Sequence, residues 1–186
     1  MRSHPADGAV LLLIDLQRAI DHPSQGQRNN PQADANILAL LERWRVSGWP
    51  VWHVRHDSPE PESHFRPGQV GNDFRPDSAP LPGEKVIVKQ TNSAFIGTAL
   101  ETDLKASGGR VVIAGVSTNN SVEATVRMAG NLGFETYLVD DACFTFARTD
   151  YRGAFRTADE VHAMSLANLD REYCHVLAAG DLLAGS

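Results

Sequence analysis

Runs of apolar residues without polar interruption alternate along the chain with stretches in which apolar residues recur every three or four positions. The uninterrupted runs are typical of parallel strands covered on both faces, and the periodic stretches are typical of amphipathic helices. Six strands are predicted at residues 9–17, 50–55, 85–89, 110–114, 134–139 and 174–178. Helices are predicted at 34–47, through 100–108, at 120–133 and at 157–173, before a short terminal segment at 181–183.

Strands that alternate with helices in this way predict an α/β fold. Right-handed crossovers place helices on both faces of the sheet that such strands form. We therefore expect a Rossmann-like three-layer α/β/α sandwich with a mainly parallel six-stranded sheet, formed by a single domain over residues 1–186. No G-x-G-x-x-G motif follows the first strand, so the pattern does not indicate a dinucleotide site.

The stretch from 108 to 142 carries the clearest local signal. A strand turns sharply at Gly115–Thr118 into a helix, which places the turn outside the carboxyl end of the sheet and beside unsatisfied backbone N–H groups. Such a place suits a nucleophile that faces an oxyanion hole. Asp15 and Lys89 also end predicted strands. From the residues alone, a turn or cap role is favoured for Asp15, and a solvated strand end is favoured for Lys89.

Composition narrows the classes of partner. The 186 residues are 42% hydrophobic and 22% charged, as in an ordinary globular protein, and the net charge of −6 argues against a nucleic-acid or anionic-membrane surface. No apolar run approaches the roughly 20 residues that span a bilayer. We expect a cytoplasmic protein that acts on a small molecule. Its cysteines, Cys143 and Cys174, are predicted to be buried reduced thiols.

Residues 115–125, Gly-Val-Ser-Thr-Asn-Asn-Ser-Val-Glu-Ala-Thr, resemble the signature of the isochorismatase-like cysteine hydrolases. Residues 10–17 look like the first strand of that family with its catalytic Asp, and 86–89 followed by 92–95 resemble its catalytic-lysine motif. The resemblance extends from Val10 to about Leu183. It implies that Asp15 is the general base, that Lys89 is its electrostatic partner and that residue 121 is the nucleophile.

The same resemblance implies a cis peptide bond between Val116 and Ser117, which aims backbone N–H groups of Ser117 and Ser121 at the oxyanion. Some relatives, the nicotinamidases, bind zinc, but the stretch His53–Asp57 does not match their ligand pattern. We therefore expect the metal-independent branch, with no metal and no cofactor. Family members usually assemble as homodimers or homotetramers.

Residues 56–83 form a long irregular segment with six prolines. A loop of this length in a compact domain is usually functional, and in the metal-free branch it shapes the substrate pocket. From loop position we predict substrate contacts from five residues: Gln17, His56, Phe65, Phe74 and Phe95.

Ser121 departs from the family, which normally has Cys there. A hydroxyl is a far weaker acid than a thiol, so little covalent turnover is expected from this chain. Three explanations compete: an engineered Cys→Ser exchange in an otherwise intact enzyme, a natural variant, and a non-catalytic ligand-binding relative. The isochorismatases proper lack the Cys and hydrolyse a vinyl ether with the Asp as acid. The unaltered signature around Ser121 favours the first explanation, and with it an amide or carbamoyl C–N hydrolase impaired by Ser121.

Overall fold

The computed structural model describes residues 4–184. They form eight strands and five α-helices. The strands are β1 Val10–Ile14, β2 Val51–His56, β3 Lys85–Lys89, β4 Arg110–Val116, β5 Glu135–Phe144, β6 Arg148–Thr149, β7 Phe155–Arg156 and β8 His175–Leu177. The helices are α1 Ala33–Ser47, α2 Leu100–Ala106, α3 Glu123–Asn131, α4 Ala158–Leu169 and α5 Ala179–Leu183.

Six strands form one parallel sheet in the order β3-β2-β1-β4-β5-β8. The connections from β1 through β2 to β3 run towards one edge, and those from β4 through β5 to β8 run towards the other. Because right-handed crossovers in opposite directions cover opposite faces, α1 and α3 lie on different sides of the sheet. The predicted three-layer α/β/α architecture with a six-stranded parallel sheet is confirmed.

The centre of the sheet is the most deeply buried part of the core. All five residues of β1 are buried, as expected for a strand with helices on both faces. Helix α1 presents Ile37, Leu40, Leu41 and Trp44 to the sheet, and the Trp44 indole N–H donates to the Ala9 carbonyl at 2.8 Å. That hydrogen bond lets a large side chain be buried without an unsatisfied donor.

The predicted boundaries are wrong in several places. Helix α4 ends at Leu169 rather than at Tyr173, because the chain turns through Arg171 (φ 66°) to enter β8. The terminal segment is a short helix, α5, and the two-residue antiparallel strands β6 and β7 were not predicted. A π-helical turn at Thr118–Val122 precedes α3, where a continuous helix was expected. No helix in residues 4–184 is long and apolar enough to cross a membrane.

Candidate active site

The carboxyl ends of four neighbouring strands meet at one edge of the sheet. His56 ends β2, Lys89 ends β3, Asp15 follows β1 and Ser117 follows β4. Strands β1 and β4 are neighbours whose connections lead in opposite directions, so the topological switch point lies between them. In open α/β sheets, ligands bind in the crevice at such a point. The sheet order therefore indicates a binding site beside Asp15 and Ser117.

A buried ammonium group connects the three residues predicted to be catalytic. Lys89 Nζ donates to Asp15 Oδ2 at 2.8 Å, to Ser121 Oγ at 3.2 Å and to the Thr91 carbonyl at 3.1 Å. The side chains of Lys89 and Asp15 are 0% and 6% exposed. The other carboxylate oxygen, Asp15 Oδ1, is buried and has no hydrogen-bond partner within residues 4–184. This oxygen is available to exchange a proton with a group that enters the site.

The backbone beside the predicted catalytic triad, which is Asp15, Lys89 and residue 121, takes unusual conformations. Asp15 has φ 53°, in the left-handed region that Asp tolerates better than most residues. Gly115 has φ 130° and is paired with Ile14, and a Cβ added to it would lie 2.3 Å from the Ile14 carbonyl oxygen. Only glycine lets β4 approach β1 this closely. The peptide bond between Val116 and Ser117 is cis, at the position that the family resemblance implied.

A cavity of about 200 Å³ opens above the triad. Six residues of the predicted site line it: Asp15, His56, Phe65, Val116, Ser117 and Ser121. The sequence analysis missed five further lining residues: Ile20, Gln25, Asn92, Asn120 and Phe146. For three of these a signal was present, because Asn92, Asn120 and Phe146 follow the carboxyl ends of predicted strands by about three to seven residues.

His56 forms one wall of this cavity. Its ring packs edge-on against Phe65 with the ring centres 5.7 Å apart, and its Nδ1 lies 3.4 Å from Lys89 Nζ. Burial, together with the positive charge of Lys89, holds the pKa of His56 below its ordinary value. At neutral pH the ring is therefore uncharged, and the Asp15–Lys89 pair is the charged centre of the site.

Gln17 does not line the cavity but holds its wall from behind. Its side chain is completely buried. The amide nitrogen donates to the carbonyls of His56 (3.0 Å) and Asn72 (2.8 Å), and its oxygen accepts from the His56 N–H (2.8 Å). Asn72 Nδ2 in turn contacts the carbonyls of His56 and Phe65. The two amides therefore position the backbone of both aromatic wall residues.

Replacing Gln17 with leucine is expected to lower the free energy of unfolding by about 2–4 kcal/mol, because it leaves the His56 N–H and the Asn72 carbonyl without the partner that Gln17 supplies. Chemical denaturation would measure this loss. Gln90→Leu is a matched control, since Gln90 is exposed on the chain just after β3. Equal stability of the two variants would contradict the positioning role of Gln17.

The two remaining predicted substrate contacts also lie outside the cavity. The backbone of Phe74 forms an antiparallel β-bridge with that of Gln17, and its ring packs edge-on against His53. Phe95 is buried and stacks on Phe134, with the ring centres 5.9 Å apart. Both side chains serve the packing behind the site. Loop position alone did not show which way these rings point.

The other histidines and the thiols take no part in this cavity. His53 is buried within β2, where its Nε2 contacts Glu84 Oε2 at 2.8 Å, and His64 stacks on His22. Within the described part of the chain, no group of three or more His, Cys, Asp or Glu side chains could hold a metal ion. Burial raises the pKa of Cys174 to about 12 and that of Cys143 further. Neither thiol is a reactive nucleophile.

A larger groove of about 790 Å³ lies elsewhere, between α4 and the β6–β7 hairpin. Its lining includes exposed Tyr151 and Met164 together with Arg148 and Glu160. No triad residue borders it. Size alone therefore does not decide which cavity is the candidate active site, and the buried charge pair favours the smaller one.

Comparison with known proteins places this geometry in a family. The family model for the isochorismatase domain matches residues 9–168. The chain is 40% identical over 175 residues to the isochorismatase family protein YrdC of Bacillus subtilis, which is uncharacterized, with 94% of each protein covered. It is 33% identical to the maleamate amidohydrolase of Pseudomonas putida, over 94% of this chain and 84% of that protein.

A solved structure agrees with the fold. The crystal structure of an isochorismatase-family protein from Chromobacterium violaceum is 61% identical in sequence and superposes with a TM-score of 0.93. The match covers 96% of this chain and 93% of that protein. The six-stranded arrangement of this chain is therefore shared with that protein.

Proposed function

The chain belongs to the isochorismatase family of hydrolases, and we propose that it cleaves the C–N amide or carbamoyl bond of a small substrate, with Ser121 standing in place of a nucleophilic Cys. One observation carries the proposal: Lys89 Nζ lies within hydrogen-bond distance of both Asp15 and Ser121, while Asp15 Oδ1 has no partner among the described residues. The named activity of the maleamate amidohydrolase relative supports an amide as the bond that is broken.

The proposed reaction begins with proton transfer. With Cys at position 121, Asp15 Oδ1 takes the thiol proton and the Lys89 ammonium stabilises the thiolate that remains. Sulfur then attacks the amide carbon, and the negative charge passes to the carbonyl oxygen. The proposed donors to that oxyanion are the backbone N–H groups of Ser117 and Ser121.

The leaving nitrogen completes the first half of the reaction. It takes the proton from Asp15 and departs as ammonia or an amine, leaving a thioester. Asp15 then removes a proton from a water molecule that attacks the thioester, which releases the acid and restores the thiol. A serine hydroxyl at position 121 impairs the first step, because Asp15 is too weak a base to ionise it.

Ammonia release across a panel of small primary amides tests this proposal. We expect Ser121→Cys to release ammonia at least about tenfold faster than the unaltered chain. Ser78→Cys is the matched control, because it introduces a thiol at a buried serine of the 57–83 loop that does not line the cavity. Absence of ammonia from every amide with Ser121→Cys would refute the amidase proposal.

A second candidate is a vinyl-ether hydrolase of the isochorismatase type. The observation in its favour is that, among residues 4–184, no cysteine lines the cavity and the buried Asp15 Oδ1 beside it has no hydrogen-bond partner. In that reaction Asp15 would act as the acid. Pyruvate release from isochorismate by the unaltered chain, lost in Asp15→Ala, is the expected result for this alternative.

A purely ligand-binding role is the least favoured. A buried ion pair is costly to keep where it has no function, and the Asp15–Lys89 pair is almost completely buried. Assembly as a homodimer or homotetramer and a cytoplasmic location stay predictions from the sequence and the family resemblance.

A further inference from the structure

The charge of the cavity constrains what it can hold. Asp15 is the only Asp, Glu, Lys or Arg among the residues that line it within the described chain. Its carboxylate is paired with Lys89 at 2.8 Å, so the two charges cancel. His56, the other titratable lining residue, is neutral for the reasons given above. The wall therefore offers no unpaired positive charge to a ligand.

Arg66 follows the lining residue Phe65, but its side chain is exposed and does not line the cavity. Two other arginines near this wall in the sequence are already bound to other groups. Arg55 precedes His56, and its guanidinium is paired with Asp57 at 2.8 Å. Arg28 forms a backbone bridge with the lining residue Phe146, but its guanidinium contacts Asp34 and the carbonyls of Asn29 and Asn30. Recruiting either guanidinium to a ligand would require breaking these contacts.

Apart from Asp15, the polar part of the wall is made of neutral groups. Asn92, Asn120 and Gln25 supply carboxamides and Ser117 supplies a hydroxyl, each of which can both donate and accept a hydrogen bond. Such groups match a ligand that also donates and accepts, as amides and ureas do. A carboxylate only accepts, and burying one without a cation carries a large desolvation cost. The unpaired Asp15 Oδ1 would add repulsion.

We propose, on the basis of the proposed amide hydrolysis, that the substrate is a small uncharged amide or urea and that the cavity discriminates against amides that carry a carboxylate. The volume of about 200 Å³ limits its size. This is below the roughly 300–1,000 Å³ of sites for drug-sized ligands, and it suits a compound on the order of ten non-hydrogen atoms. A dianionic vinyl ether such as isochorismate fits this wall poorly.

Binding measurements on the unaltered chain test the proposal without any turnover. The probes are three pairs matched in size, each a diamide and its monoacid: malonamide and malonamate, succinamide and succinamate, fumaramide and fumaramate. NMR titration at pH 7 and low salt gives both dissociation constants of each pair. We expect at least one diamide to bind, and its monoacid to bind at least tenfold more weakly. Equal or tighter binding of the monoacid, or no binding of any diamide, would overturn the proposal.

A charge-insertion variant sharpens the test. Asn92→Lys places a cation at the cavity. It should lower the ratio of the monoacid's dissociation constant to that of the diamide by about tenfold. Asn168→Lys changes the net charge equally, but Asn168 lies in the separate groove at α4, so the preference should stay as it is. An unchanged preference in Asn92→Lys would overturn the proposed electrostatic basis.

The binding test and the ammonia test can fail separately. If Ser121→Cys releases no ammonia but the diamide preference is observed, the proposal of amide hydrolysis falls and the ligand class stands. If ammonia is released and the monoacids bind as well as the diamides, the reaction stands and the ligand class falls.

Discussion

Replacement of Lys89 by methionine is expected to lower the free energy of unfolding by about 3–5 kcal/mol and, in the Ser121→Cys background, to lower kcat/KM by on the order of 10²- to 10³-fold. The loss of stability arises because the Asp15 carboxylate would stay buried with neither oxygen paired to a cation. The loss of activity arises because nothing would stabilise the thiolate. Thermal unfolding should show the midpoint lowered by about 10 °C.

Lys85→Met is the matched control for this change. Lys85 begins the strand that Lys89 ends, but its side chain is 39% exposed and its partner, Asp103, lies at the surface. Exposed ion pairs contribute about 0.2–1 kcal/mol, so this variant should keep nearly all of its stability and activity. Equal losses in the two variants would show that the burial of Lys89 is not the cause.

A double variant separates stability from catalysis. Combining Asp15→Asn with Lys89→Met removes both charges, so no unpaired ion is left in the interior. Part of the lost unfolding free energy should return, while activity should stay absent because the proton acceptor is gone. Recovery of activity together with stability would contradict the assigned chemical roles.

Gly115→Ala is expected to lower the free energy of unfolding by at least about 3 kcal/mol, because the new methyl group would overlap the Ile14 carbonyl oxygen at 2.3 Å and its nitrogen at 2.7 Å. Both atoms belong to β1, which lies in the middle of the sheet and cannot move aside without disturbing its neighbours. The φ of 130° adds backbone strain for any residue other than glycine. Urea denaturation would measure the loss.

Gly133→Ala isolates the backbone contribution. Gly133 also has a positive φ, 81°, but a Cβ there would meet no atom within 4 Å. Gly133→Ala should therefore lower the free energy of unfolding by only about 1–2 kcal/mol. The difference between the unfolding free energies lost in the two variants measures the steric cost at the contact between β1 and β4. A Gly115→Ala variant as stable as Gly133→Ala would show that the two strands can separate to accept the methyl group.

The parts of the fold that depend on long apolar patterns were predictable. Strand β3 has the expected bounds of 85–89, and α1 begins within one residue of the predicted start. The pairing of Asp15 with Lys89 was also accessible, since both end parallel strands and such ends share one edge. Strand order was not, because the pattern of single strands carries no information about which neighbours they choose.

Short or turning segments were not predictable. Strands β6 and β7 have two residues each, too few for any periodicity. The helix predicted at 157–173 continues past the true end of α4 at Leu169, since only the turn at Arg171 breaks the helical pattern. The role of Gln17 was hidden as well, because its partners are backbone atoms 39 and 55 positions away.

Asp15 and Lys89 come from strands that differ in how strongly they resist local opening. Asp15 follows β1, which is paired on both sides, whereas Lys89 ends β3, which lies at the rim of the sheet, paired within the described chain with β2 only. Rim strands open more readily in native-state fluctuations than central ones. Fraying of β3 would withdraw the lysine while β1 and β4 stay paired. We therefore expect the proposed Asp15–Lys89 arrangement to be lost at a smaller free-energy cost than the global fold.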